Sequence, residues 1–236
     1  GAAKLAAPCL NNVTLLGGIG AFGTRVAPVD GIAAPRYTYV KKNRATEELI
    51  YPDLDIVPLK DNYDGSTKEP VTFLPIILTV LLNGSEGIAV GWSTSILPHN
   101  LQDIVRETKN AIRGKKVSEI SPSYDYLEVE TKVLGEQRFS FSGIVKKDNT
   151  TTCTISELPP GLSLEAYKKR LNALEEDGTI VTYIDNSAKS IDIKVSFKRA
   201  DLAKLSEEKL IDVLKLNQRT SERIVTLDFN GGIRVY

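Results

Sequence analysis

The 236-residue chain contains no methionine, one histidine, one tryptophan and two cysteines. Two cysteines, Cys9 and Cys153, build no disulfide framework, so a reducing compartment is expected. A single histidine excludes catalysis built on paired histidines, and His99, set between Pro98 and Asn100, reads as structural. No apolar run approaches the ~20 residues a membrane-spanning helix needs, and no membrane partner is expected. No basic start followed by an apolar stretch opens the chain, so no secretory leader is expected either. With methionine missing even at position 1, the sequence reads as a piece of a longer chain.

What is present fits a globular protein: 42% apolar residues, 25% charged, and 30 bases against 30 acids. The length allows one large domain or two small ones. The zero net charge hides an uneven distribution. Residues 1–46 carry Lys4, Arg25, Arg36, Lys41, Lys42 and Arg44 against Asp30 alone, so an acidic remainder must balance a basic start. A basic cluster of this size attracts polyanions, or forms a plain solvated face.

Composition changes near residue 47, where a domain boundary is expected. Val13–Leu16 reads as a short strand before the glycine-rich stretch Gly17–Gly23. Asp64-Gly65 reads as a turn between extended arms Asp55–Leu59 and Val71–Phe73. Asn100 caps a helix with Leu101, Ile104, Val105, Thr108 and Ile112 at helical spacing, closed by Gly114. Phe139, Phe141, Gly143 and Val145 alternate as one strand, and Ile191, Ile193, Val195 and Phe197 as another. Thr151–Ile155 is a further strand, and Ser163–Leu174 and Ser206–Leu216 read as capped amphipathic helices. Strands and helices are mixed without a strict repeat, which predicts an α+β fold.

Three short motifs carry possible chemistry. Gly18-x-Gly20-x-x-Gly23 fits a dinucleotide-binding pattern, hence an oxidoreductase, but the pyrophosphate needs a helix directly afterwards. Pro28 and Gly31 disfavour that helix, leaving a glycine-rich turn as the default. Asp53, Asp55, Asp61 and Asp64 offer oxygen atoms to Mg²⁺ or Ca²⁺ without completing a calcium loop, and no metal ligand is assigned. Asn83-Gly84-Ser85 fits a glycosylation sequon that has no meaning without secretion.

Arg36-Tyr37 is the most informative pair. A tyrosine hydroxyl ordinarily ionises near pH 10, so a tyrosine nucleophile needs help from a neighbouring cation or base. A guanidinium offers paired donors that match phosphate geometry. Lys41, Lys42 and Arg44 follow, as a cluster tracking a nucleic-acid backbone requires. By itself the pair is equally consistent with a half-buried interface ring.

Phe22-Gly23-Thr24-Arg25 with Ala34-Pro35-Arg36-Tyr37-Thr38-Tyr39 resembles the active-site segment of type IIA DNA topoisomerases. In the same order follow Glu69-Pro70, Leu74-Pro75-Ile76-Ile77, Leu82-Asn83-Gly84, Glu86–Ser93 and Leu97-Pro98-His99-Asn100. Thr151-Thr152, Ile155–Pro159, Val225-Thr226-Leu227 and Gly232–Tyr236 extend the resemblance over essentially the whole chain. Leu74–Asn100 and Gly114-Lys115-Lys116-Val117 are most similar to the DNA-cleaving medium subunits of T-even-like phages.

The resemblance implies that Tyr37 attacks a DNA phosphodiester and becomes linked to the 5′ phosphate, with Arg36 stabilising the crowded phosphorus. It implies that Ile88 is a wedge entering the base stack, flanked by Gly87 and Gly91 that let backbone approach DNA. Arg25, Lys41, Lys42 and Arg44 are expected to contact DNA. Residues 1–46 correspond to the end of a winged-helix domain and 47–236 to a tower domain. The expected partners are double-stranded DNA, a second copy in a homodimer, and an ATPase/Toprim subunit. Mg²⁺ and ATP are expected on those partner domains, not here. A helix-turn-helix with a candidate general-base histidine would precede Gly1, so the chain alone is expected to be inactive. The expected location is cytoplasmic, in a nucleoid or an infected host. A non-catalytic DNA-bending scaffold remains the alternative.

Overall fold

The computed structural model describes residues 1–228 and 230–236. Its largest core lies in the second half of the chain. There Thr182–Asp185, Ile193–Ser196, Thr152–Glu157 and Ile144–Lys147 form an antiparallel four-stranded sheet in that order. Cys153 sits opposite Val195 and Ile155 opposite Ile193, and all four side chains are buried on one face. That is the outcome of strict alternation, because residues two apart on a strand share a face.

The helix Leu164–Glu176 covers this face with Tyr167, Leu171 and Leu174, spaced four and three residues apart. Its start is set by Ser163, whose hydroxyl accepts from the Ala166 amide at 3.2 Å. Arg199–Lys204 and Glu207–Val213 close the core with Leu202, Leu210 and Leu214. The last helix is shorter than the expected Ser206–Leu216. Lys215 takes a positive φ of 54°, ending the helix, and the chain re-enters a sheet at Asn217.

Asn217–Ser221, Arg138–Ser142 and Glu130–Gly135 form a second, three-stranded antiparallel sheet over Leu97, Phe139 and Phe141. The single strand expected through Phe139, Phe141, Gly143 and Val145 is therefore two strands in two different sheets. Gly143 is the crossing point: its amide donates to Leu216 O at 2.8 Å, and a Cβ there would collide with the Glu157 carbonyl oxygen. Alternation of apolar residues continues through the crossing, which is why periodicity alone does not reveal it.

The basic start folds differently. Leu16–Ile19 pairs antiparallel with Tyr39–Lys42, in register Leu16↔Lys42 to Ile19↔Tyr39. The strand begins three residues later than the expected Val13–Leu16. Val13 is engaged elsewhere, its amide donating to Asn83 Oδ1 at 3.0 Å and its carbonyl accepting from Asn83 Nδ2 at 2.8 Å. Asn12 adds bonds to the carbonyls of His99 and Ser123, so the first segment is stitched to the rest. The composition change at residue 47 falls inside a helix, Arg44–Leu49.

The hairpin around Asp64-Gly65 forms, but its arms are Leu59–Asp61 and Lys68–Pro70, closer to the turn than expected. Asn62 tightens the loop by bonding to Thr67, and Asp64 accepts from the Ser66 amide at 2.9 Å. The helix Leu101–Ile112 starts at Asn100, whose side chain accepts from Gln102 N at 2.9 Å, and Gly114 follows it with φ +64°. The arrangement is α+β, as predicted.

Candidate nucleic-acid interface

Pro35–Tyr37 forms one turn of 3₁₀ helix, pinned by the Tyr37 amide donating to Ala34 O at 2.8 Å. A proline at its first position pre-sets the turn. The turn leads directly into the strand Tyr39–Lys42, so the Tyr37 ring projects from a short, anchored elbow and is 64% exposed. Arg36 Cζ lies 4.9 Å from the centre of the Tyr37 ring, within cation–π range.

The glycine motif explains itself here. Gly20 has φ +110°, and a Cβ on it would come within 2.8 Å of the Tyr37 carbonyl oxygen. Gly18 similarly leaves room for the Phe22 ring. After Gly23 the chain turns, with Thr24 N and Gly31 N both donating to Ala27 O at 3.1 Å. The helix required by a dinucleotide site is absent from these described residues. The glycines let one loop pack against the elbow that carries Tyr37.

Lys41, Lys42 and Arg44 are exposed beside this elbow. Lys42 Nζ lies 2.9 Å from Glu47 Oε1, and Arg44 Nε 2.6 Å from Glu48 Oε1. Surface pairs of this kind are worth at most about 1 kcal/mol, so either cation can exchange its partner for a phosphate. Arg25 is placed differently from the other cations. Its guanidinium turns inward to Glu157 and donates to Leu158 O at 3.2 Å, with 16% of the side chain exposed. It joins the basic segment to the large core, and that role had no signal in the sequence because the partner is 132 residues away.

Ile88 stands on another element, the hairpin Ser85–Ala89 and Trp92–Ile96. It is 91% exposed, far from the burial usual for isoleucine. Val90, at the tip, is fully exposed as well. Sequence reasoning overlooked Val90; its signal was position two residues beyond Ile88, directly before Gly91 with φ +76°. An apolar groove of about 350 Å³ runs beside the hairpin, lined by Ile88, Trp92, Val225, Leu227 and Ile233.

His99 is buried, with its amide donating to Leu81 O at 2.8 Å and Nδ1 3.3 Å from the same oxygen. It is structural, as read from sequence. Asp61 is paired with Lys68, and hydrogen bonds from Ser66 hold the Asp64 carboxyl below its ordinary range. Among the described residues no three His, Cys, Asp or Glu side chains gather to hold a metal ion. The carboxylates of this chain therefore do not fit a Mg²⁺ site. Among the described residues no helix is long and apolar enough to cross a membrane.

Residues 3–235 match the family model for DNA gyrase/topoisomerase IV. The chain is 32% identical over 241 residues to DNA topoisomerase 2-alpha of Homo sapiens, covering 96% of this chain and 15% of that protein. It is 32% identical over 233 residues to the DNA topoisomerase medium subunit of Enterobacteria phage T4, covering 96% of this chain and 51% of that protein. The solved topoisomerase II DNA-binding, cleavage and re-ligation domain of Plasmodium falciparum superposes with a TM-score of 0.87 at 29% identity, over all of this chain and 33% of that one. The chain thus spans from 15% to about half of the length of these two curated relatives. It belongs to the DNA gyrase/topoisomerase IV family, among the type II topoisomerases.

Proposed function

We propose that this chain is the strand-breaking part of a type IIA DNA topoisomerase and that Tyr37 is its nucleophile. The Tyr37 oxygen bonds to the phosphorus of a DNA phosphodiester, and the bond from phosphorus to the 3′ oxygen breaks. The proton lost by the phenol is matched by one gained at the departing 3′ hydroxyl. One phosphodiester replaces another, so the break reseals by the reverse step without consuming ATP. Arg36 supplies fixed positive charge where the pentacoordinate phosphorus accumulates negative charge. The observation carrying this reading is the exposed Tyr37 ring on a pinned elbow, with Arg36 beside it.

In this reading residues 1–46 close a winged-helix domain and residues 47–236 form a tower domain flanking the duplex. Lys41, Lys42 and Arg44 track phosphates, and Ile88 wedges into the base stack. Mg²⁺ and ATP are bound by an ATPase/Toprim partner, the working enzyme is a homodimer, and its place is the cytoplasm. The chain alone binds duplex DNA weakly and does not cleave it.

The test is Tyr37→Phe in the complete enzyme that carries this chain. The variant keeps the ring and its contact with Arg36 and loses only the hydroxyl. Covalent protein–DNA adducts should vanish while duplex binding persists; adducts that survive would overturn the assignment. The exposed Ile88 and Val90 favour one second reading, a DNA-bending scaffold in which Tyr37 is idle. That reading predicts no adduct in the unmodified enzyme either.

A further inference from the structure

We propose that Thr94 and Glu222 are positioning residues for Ile88, an inference that rests on the wedge reading above. A two-stranded hairpin is marginally stable by itself. The strand carrying Ile88, Ser85–Ala89, is exposed along its whole length and has one neighbour, Trp92–Ile96. All of the hairpin's stiffness must therefore enter through the far edge of Trp92–Ile96.

That edge is bonded to residues 222–225. Ser95 and Arg223 exchange backbone hydrogen bonds at 2.8 and 2.9 Å. The Thr94 hydroxyl donates to Arg223 O at 3.1 Å and accepts from Val225 N at 3.2 Å. Its methyl group lies over Gly87, the residue before Ile88. The Glu222 carboxylate accepts from the Leu97 amide at 2.7 Å, just beyond the end of the strand. Glu222 N in turn donates to Gln137 O at 2.8 Å, in the turn of the hairpin that carries the buried Phe139 and Phe141. Val225–Leu227 continues this edge by pairing with Ile233–Val235.

A continuous path of bonds thus runs from Ile88 through Thr94 and Glu222 to a hydrophobic core. Opening a base step costs a few kcal/mol. A lever that yields more easily than the duplex leaves the base step closed. Thr94 and Glu222 make the hairpin the stiffer partner.

The experiment measures the bend of a gate duplex by fluorescence energy transfer between its ends, bound to the complete enzyme. Thr94→Val keeps the branched shape and loses the hydroxyl, whereas Thr94→Ser keeps the hydroxyl. Glu222→Ala loses the acceptor, whereas Glu222→Gln keeps one. Thr94→Val and Glu222→Ala should each lower the bent-to-straight ratio about two- to tenfold, the worth of one or two hydrogen bonds. Thr94→Ser and Glu222→Gln should restore it, and duplex affinity at high salt should follow the same order. Ile88→Ala serves as the reference. If Ile88→Ala abolishes bending and the Thr94 and Glu222 variants do not change it, the positioning role is wrong and the wedge stands. If Ile88→Ala leaves bending intact, the wedge reading falls and this proposal falls with it. Loss of bending that tracks a lower melting temperature in all four variants would reduce both residues to structural supports and overturn the proposal.

Discussion

Arg36 Cζ lies 4.9 Å from the centre of the Tyr37 ring, so the guanidinium rests over the aromatic face of the adjacent residue. An exposed contact of this type is worth about 0.5–1 kcal/mol, small enough for a phosphate to draw the arginine away. Arg36→Ala should therefore leave stability unchanged and slow DNA cleavage about 10²–10³-fold, the usual cost of losing one preorganised charge. Arg36→Lys should recover only part of the rate, because an ammonium does not reproduce the planar pair of donors. Single-turnover cleavage at saturating DNA checks this; a wild-type rate for Arg36→Ala would remove Arg36 from the chemistry.

The elbow was legible in the sequence because its parts are contiguous: Pro35 sets the turn, and Arg36, Tyr37 and the lysines follow within seven residues. The capped helix Leu101–Ile112 was legible for the same reason, its cap and apolar spacing being local. The crossing at Gly143 was not, because alternation persists while the chain changes sheets. Nor was the inward turn of Arg25, since a cation's partner is chosen by tertiary contact. Ile88 looked like an interior residue by composition, and its exposure follows from a hairpin whose outer strand has no further neighbour.

The Arg25–Glu157 pair sets a second expectation. Arg25 Nε donates to Glu157 Oε1 at 2.8 Å, and the Leu158 amide donates to the same oxygen at 2.8 Å. With 8% of the Glu157 side chain exposed, removing Arg25 leaves a carboxylate that water reaches poorly. Arg25→Ala should cost about 3–5 kcal/mol, as for other buried pairs broken on one side. Arg25→Ala/Glu157→Ala together should cost clearly less than the sum of the single changes, read from denaturant midpoints. The salt dependence of DNA binding separates Arg25 from the exposed lysines. Lys41→Gln should lower the slope of log affinity against log salt by about 1, whereas Arg25→Gln should leave it unchanged.

Cys153 lies inside the large core opposite Val195, and burial pushes its thiol up to about 12. The thiolate is the reactive form, so Cys153 should resist alkylation at pH 8 for as long as the core is closed. Mass spectrometry of the folded chain should find any modification at Cys9, which is only half-buried. Cys153 should label at the rate of unfolding and become as reactive as Cys9 in denaturant. Fast labelling of Cys153 in the native chain would mean that the sheet Ile144–Lys147, Thr152–Glu157, Ile193–Ser196 opens locally.

Glu107 provides the pH dependence. Its carboxylate accepts from the Ser118 amide at 2.8 Å, from Arg106 Nε at 2.8 Å and from Asn110 Nδ2 at 3.2 Å. These bonds, the Ser118 amide first among them, lower its pKa from 4.5 to about 2. The folded state therefore binds the proton more weakly than the unfolded state does. The resulting stability is fully present above about pH 4.5 and is lost as pH falls towards 2, where both states are protonated. Glu107→Gln should flatten the fall in stability across that interval while leaving the acid response below pH 2 unchanged. At neutral pH the same variant should speed amide exchange at Ser118, because the loop after Gly114 loses its strongest acceptor. A stability curve between pH 4.5 and 2 that is identical in both proteins would show that the carboxylate does not hold this loop.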